Sequence, residues 1–184
     1  DLELILRGIS IGRVSWGDFD NDNDLDILVS GNYGYNEDIL LYKNEGNDVF
    51  SYLHADLAKN QEINTWIDVN NDGNLDMILS GLSNSGIFTG NGKGSFEYLP
   101  CPLANVQHAD IDIADYDNDN DLDFVYAGYS SGLYTQIYKN NTAVVNHTPS
   151  IPTGLTARQN GSDVVFSWNP ATDYENGKNL SYNI

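Results

Sequence analysis

A single cysteine, Cys101, stands in the 184-residue chain, so no disulfide can form within it and stability must come from packing or from bound ions. As a lone thiol it reads as a small buried apolar residue. Basic residues are scarce too: Lys and Arg total 8 against 27 Asp and Glu, for a formal net charge of -19. Such a surface repels nucleic acid and anionic membranes, and cations are its natural partners. No run of about 18 apolar residues occurs, which excludes a membrane-spanning helix and predicts no direct membrane insertion. His54, His108 and His147 are scattered, with no recognisable nucleophile motif around them. No catalytic arrangement is predicted, and the chain is not expected to be an enzyme.

The acidity that is present is concentrated. Thirteen of the 27 acids fall in three short segments, so they form sites and not a uniformly solvating surface. The segment Trp16-Gly17-Asp18-Phe19-Asp20-Asn21-Asp22-Asn23-Asp24-Leu25-Asp26 recurs as Trp66-Ile67-Asp68-Val69-Asn70-Asn71-Asp72-Gly73-Asn74-Leu75-Asp76. It recurs again as Ile113-Ala114-Asp115-Tyr116-Asp117-Asn118-Asp119-Asn120-Asp121-Leu122-Asp123, the intervals between copies being 50 and 47 residues. Each copy runs into a short apolar stretch ending in glycine: Ile27 to Gly31, Met77 to Gly81 and Phe124 to Gly128. Such β-branched and aromatic runs, bounded by Gly and Asn, read as strands buried on both faces. A second strand ends at Leu41-Tyr42-Lys43-Asn44, Ile87-Phe88-Thr89-Gly90 and Ile137-Tyr138-Lys139-Asn140. In the first two copies a turn with Gly46 or Gly92 leads to another strand at Phe50 or Phe96. With the strand entering each loop, the unit has four strands. After Asn141 the third copy lacks the Gly and Phe of the closing strand, so that strand is expected to be absent or supplied from elsewhere. Trp16, Trp66 and Ile113 share one slot and are expected to be packing residues.

Four antiparallel strands at this period, with no helical pattern between them, predict an all-β fold of radial β-propeller blades over residues 1–146. Leu2-Glu3-Leu4-Ile5-Leu6 stands where Tyr52-Leu53 and Tyr98-Leu99 stand before later copies. It reads as the last strand of a preceding blade, so the parent protein is expected to extend upstream.

Carboxylates at positions 1, 3, 5 and 9 of a tight Asn/Gly turn can converge on one point, with the carbonyl of position 7 completing the shell. Calcium takes about 6 to 8 hard oxygen ligands in flexible geometry. The predicted ligands are Asp18, Asp20, Asp22 and Asp26 with the carbonyl of Asp24, and Asp115, Asp117, Asp119 and Asp123 with that of Asp121. The loop at 68–76 offers Asp68, Asn70, Asp72 and Asp76 with the carbonyl of Asn74; carrying less charge, it is expected to bind more weakly. About three calcium sites follow. Zinc would need His or Cys, and magnesium prefers a tight, hydrated octahedron. Asn, Asp and Gly favour such turns without any ion, but three copies in register between strands favour the metal. An EF-hand is excluded because Val29, Leu79 and Tyr126 occupy the twelfth position, where it places Glu. Dense acid pairs of the glycosidase type are better explained by calcium.

Trp16 to Asp22 and Asp68 to Gly73 resemble the FG-GAP or VCBS repeats of integrin-α-like propellers. That resemblance implies loops joining the first two strands of each blade, calcium on one rim, and a secreted or cell-surface location. Asn23 and Asn120 stand where that family usually has a loop glycine, which a left-handed Asn tolerates. After a proline-spaced linker at 147–152, residues 153–184 resemble the start of a fibronectin type III sandwich, with Trp168 and Tyr182 as core aromatics and about three of its seven strands. The expected function is a calcium-binding adhesion, protein-interaction or scaffolding module, joined to further domains of the parent chain. The alternative is a lectin or the accessory propeller of a polysaccharide-degrading enzyme, with Tyr33, Tyr35, Tyr129 and Tyr134 stacking on sugars. Either way the partner is an unidentified protein or glycan ligand.

Overall fold

The computed structural model describes residues 6–33, 36–53, 57, 61–144 and 146–173. It is all-β, without a helix among the described residues. Three antiparallel sheets succeed one another along the chain. The first contains β1 (Ser10–Gly17), β2 (Asp26–Tyr33), β3 (Asn36–Asn44) and β4 (Phe50–Leu53), and the second β5 (Gln61–Ile67), β6 (Asp76–Gly81), β7 (Gly86–Gly90) and β8 (Phe96–Leu99). Both are paired in chain order. The third has three strands among the described residues, β9 (Gln107–Ala114), β10 (Asp123–Tyr129) and β11 (Leu133–Tyr138), in line with the missing Gly and Phe after Asn141. A two-stranded hairpin follows, β12 (Thr153–Asn160) with β13 (Asp163–Asn169).

The register repeats as faithfully as the sequence. Trp16 faces Ile27, Trp66 faces Met77 and Ile113 faces Phe124. Across the next ladder Tyr42 faces Ile27, Phe88 faces Met77 and Tyr138 faces Phe124. The apolar runs in β2 and β6 are buried on both faces, because each central strand has another sheet or chain segment on either side. Leu28 and Leu41 of the first sheet pack with Phe19 against Met77, Leu79 and Phe88 of the second. Ile78 and Ile87, on the opposite face of the second sheet, pack with Val106, Ile111, Phe124 and Tyr126. Strand β5 lies against β1, β2 and β3 on one side and against β9 on the other. At the first junction Gly17 is required: a Cβ there would meet the Trp66 ring at 2.7 Å.

Several polar groups inside these junctions are paired across them, whereas Trp66 Nε1 is buried at the first without a hydrogen-bond partner. The Asn64 amide is buried; its Nδ2 donates to the Arg13 carbonyl at 3.1 Å and to Ser30 Oγ at 2.8 Å, and its Oδ1 accepts from Ser15 Oγ at 2.5 Å. Between the second and third sheets, the Ser80 and Tyr126 hydroxyls bond to each other and Tyr126 donates on to the Ala104 carbonyl at 2.9 Å. An unmet polar group at either place would cost about 1–3 kcal/mol, so these bonds fix which sheets meet and how.

The shared slot of Trp16, Trp66 and Ile113 divides. Trp66 and Ile113 pack at the junctions, whereas Trp16 is 58% exposed and touches Phe50 with ring centroids 6.4 Å apart. The reason is positional: among the described residues no sheet lies over that side of β1. Cys101 is half-buried at the edge of the second junction. In the tail, β12 and β13 pair with each other and stay exposed, with Trp168 half-buried. His54, Tyr182, the segment 1–5 and the strand expected at 180–184 lie outside the described residues.

Position, not composition, decides what is core here, and one pair of isoleucines tests this. Ile87 and Ile137 hold the same register, yet Ile87 is 6% exposed and Ile137 60%. Ile87→Ala is expected to lower stability by about 2–5 kcal/mol and Ile137→Ala by under about 1 kcal/mol, read from urea-unfolding midpoints.

Candidate metal centre

Each acidic loop joins the first and second strands of its sheet, at residues 18–26, 68–76 and 115–123, and the three are built alike. The fourth and sixth residues are left-handed every time: Asn21 and Asn23 (φ 61° and 75°), Asn71 and Gly73 (55° and 81°), Asn118 and Asn120 (62° and 70°). Asn and Gly tolerate that region where other side chains are strained. These two reversals turn successive backbone N–H groups inward onto the acids. The first-position carboxylate accepts two of them. Asp18 is bonded by the N–H groups of Asp22 and Asn23 (3.1 and 2.9 Å), Asp68 by Asp72 and Gly73 (3.2 and 2.9 Å), and Asp115 by Asp119 and Asn120 (both 3.1 Å). The fifth-position acid accepts from the seventh residue: Asp24 to Asp22 at 3.0 Å, Asn74 to Asp72 at 2.9 Å, Asp121 to Asp119 at 3.1 Å.

The ninth position does something its sequence did not announce. Asp26, Asp76 and Asp123 are buried, and both oxygens of each carboxylate accept backbone N–H groups from separate parts of the chain. Asp26 takes those of Phe19 (3.0 Å) and Asn44 (2.8 Å), Asp76 those of Val69 (2.9 Å) and Gly90 (2.7 Å), and Asp123 those of Tyr116 (3.3 Å) and Asn140 (2.7 Å). This residue fastens the start of its loop to the end of the sheet's third strand.

In the first and third loops acids converge on one point. Asp115, Asp117, Asp119 and Asp123 each offer an oxygen within 4.8 Å of the others, as do Asp18, Asp20 and Asp22. Asp26 lies outside the first group. In the second loop Asn70 takes the third position, its Nδ2 donating to Asp72 Oδ2 at 3.0 Å, and Asp68, Asp72 and Asp76 form no such group. The seventh residues Asp24, Asn74 and Asp121, expected to contribute only carbonyls, have side chains outside the groups. Instead Asn74 and Asp121 are grasped from the neighbouring loop: Asn21 Nδ2 donates to Asn74 Oδ1 at 2.9 Å and Asn71 Nδ2 to Asp121 Oδ1 at 2.7 Å. Neither these ties nor the ninth-position bonds could be found without the register that brings distant residues together.

A hard dication fits what is present. All donors are oxygens, and Asp20 Oδ1 is buried with no hydrogen-bond partner, an orphan that a cation would satisfy. The residues able to hold it are Asp18, Asp20 and Asp22 in the first loop and Asp115, Asp117, Asp119 and Asp123 in the third. Lys43 also enters the first group, bonded to Asp20 and to Asp22 Oδ2 (2.9 Å). Lys139 enters the third, bonded to Asp117 and to Asp119 Oδ2 (3.0 Å). These ammonium groups hold Asp22 and Asp119 below the usual carboxylate range.

Of the four tyrosines considered for sugar stacking, Tyr129 is exposed. Tyr134 is engaged with Gln136 and Tyr138 at 2.6 Å each and meets Tyr126 edge-on. The Tyr33 side chain and Tyr35 lie outside the described residues.

Residues 68–126 match the family model of an FG-GAP-like repeat. The match runs from the start of the second loop, through the third, to Tyr126 in β10. No curated protein matches the chain. The FG-GAP-like segment thus holds the second and third loops, the junction between their sheets, and β9 with the start of β10.

Burial pushes Asp26 and Asp76 up to about 6 from an ordinary 3.8. Between those values the folded state holds protons that the unfolded chain has released, so stability is greatest below pH 4 from this source and is lost as pH rises through 6. Metal-stripped protein is therefore expected to be more stable at pH 5 than at pH 7, by about 2 kcal/mol in urea titrations. Asp26→Asn with Asp76→Asn should flatten that dependence while costing about 1–3 kcal/mol per site, since an amide N–H₂ must then face a backbone N–H.

Proposed function

We propose that the chain is a calcium-binding part of a β-propeller in a secreted or cell-surface protein, serving adhesion, protein interaction or scaffolding. The observation that carries this reading is the threefold recurrence of one loop geometry, with the oxygens of the first and third loops already gathered and one of them orphaned in the first. Carboxylates this close repel one another by about 1 kcal/mol per pair at 4 Å in water and by more near protein. A dication removes that repulsion and adds bonds to oxygens already oriented by the turn. The chemistry also fits the location: calcium stabilises without disulfides, and Cys101 has no cysteine partner in this chain.

Propeller architecture is supported by the succession of antiparallel sheets stacked through β1, β5 and β9, together with the FG-GAP-like match. In such a fold the loops all lie on one rim, and the metal holds the β1–β2 turn of each sheet rigid, so that the surface beside it is presented in one shape. The β12–β13 hairpin is read as the beginning of a fibronectin type III-like domain.

Calorimetric titration with calcium decides the metal part of the reading. The expected result is saturable sites in the first and third loops and a weaker third one in the second, whose acids are not gathered in this structure, with a melting temperature that rises with calcium and falls on adding EDTA. Asp22→Ala, Asp72→Ala and Asp119→Ala should each remove one site. A chain that takes up no calcium at millimolar concentration, with a melting temperature indifferent to EDTA, would overturn it.

A further inference from the structure

At the ends of the third strands Lys43, Thr89 and Lys139 hold equivalent positions, each following a tyrosine or phenylalanine (Tyr42, Phe88, Tyr138) that faces the residue after the ninth loop position. Two of the three point a cation into the adjoining loop. Lys43 Nζ bonds Asp20 and Asp22, and Lys139 Nζ bonds Asp117 and Asp119, which are the third- and fifth-position acids in both cases. Thr89 instead bonds across its own sheet to the Glu97 carbonyl at 3.3 Å. The acids vary in step. Where the third position is Asp the strand supplies lysine; where it is the neutral Asn70 the strand supplies threonine.

We propose that Lys43 and Lys139 are internal counter-ions that set the metal affinity of the first and third loops. The inference rests on the calcium reading above and concerns which residues tune it. Each ammonium group occupies the carboxylates a dication needs at about 2.3–2.6 Å. The metal must either displace the lysine or sit beside a like charge. Without metal, the lysine relieves the repulsion among the acids and keeps the loop ordered. The second loop, with fewer acids, has no such competitor among the described residues, which offsets the weaker binding expected from its lower charge.

The test is calorimetric calcium titration of the full chain beside Lys43→Met, Lys139→Met, Thr89→Lys and Lys93→Met. Lys43→Met and Lys139→Met should each tighten one site about tenfold, equivalent to about 1.4 kcal/mol, and lower the melting temperature of the metal-free protein only. Thr89→Lys should weaken the second site by a similar factor. Lys93 lies in the exposed turn between β7 and β8, so Lys93→Met changes the overall charge equally and should leave all sites as they are. Calcium binding that is the same in Lys43→Met, Lys139→Met and Lys93→Met overturns the counter-ion role and leaves the calcium reading standing. No uptake by any of the chains brings down the calcium reading, and the counter-ion role with it. Should a methionine variant fail to fold, Thr89→Lys answers alone, an unchanged second site being the result against the proposal.

Discussion

A buried carboxylate with both oxygens bound by backbone N–H groups is the constraint on which the rest of this structure depends. Asp26, Asp76 and Asp123 each tie the second residue of a loop to the end of a third strand. Hydrogen bonds to an ionised group are worth about 1.5–3 kcal/mol each, and the acid must be buried for them to form. Burial in turn pushes the pKa of the Asp26 and Asp76 carboxyls upward. In those two loops the anchor is itself under electrostatic strain, and that strain is relieved by whatever brings positive charge to the neighbouring acids.

From that anchor the loop geometry follows. Once the ninth residue is fixed, two left-handed residues allow the intervening acids to fold back onto their own backbone, and the first- and fifth-position carboxylates are oriented by N–H groups. The loops are also coupled to one another. Asn21 reaches Asn74, and Asn71 reaches Asp121 and the Val144 carbonyl, so the fourth residue of one loop grips the seventh of the next. Loops that sit on separate sheets thus share hydrogen bonds, just as the sheets share side chains.

How much of this was legible beforehand divides along a physical line. Strand positions, loop positions and the recurrence of the unit are local properties: alternation, turn residues and spacing are written in contiguous residues. The tolerance of Asn23 and Asn120 for a loop glycine's place was readable for the same reason, and both prove left-handed. The double duty of Asp26 was not, because one of its partners is Asn44, reached only through the pairing of β2 with β3. Lys43 and Lys139 were visible as strand ends but not as counter-ions, for the same reason. Trp16 was expected to be a packing residue because it shares its repeat position with Trp66 and Ile113, and sequence equivalence carries no information about what lies on the other side of a sheet.

That last point extends to the whole fold. Leu28 and Leu41, Ile78 and Ile87, and Val125 and Ile137 hold matched registers on matching faces. The first two pairs are buried by the sheet that follows, whereas Val125 and Ile137 are 38% and 60% exposed. The chemistry of the side chains is nearly constant, so the difference lies in the neighbour. Burying a Leu or Ile fully is worth about 1.5–3 kcal/mol, and in this architecture that sum accrues to a junction between two sheets and not to either sheet alone. Stability is therefore distributed as it is in other stacked repeats: by interfaces, with each added sheet converting an exposed apolar face into core.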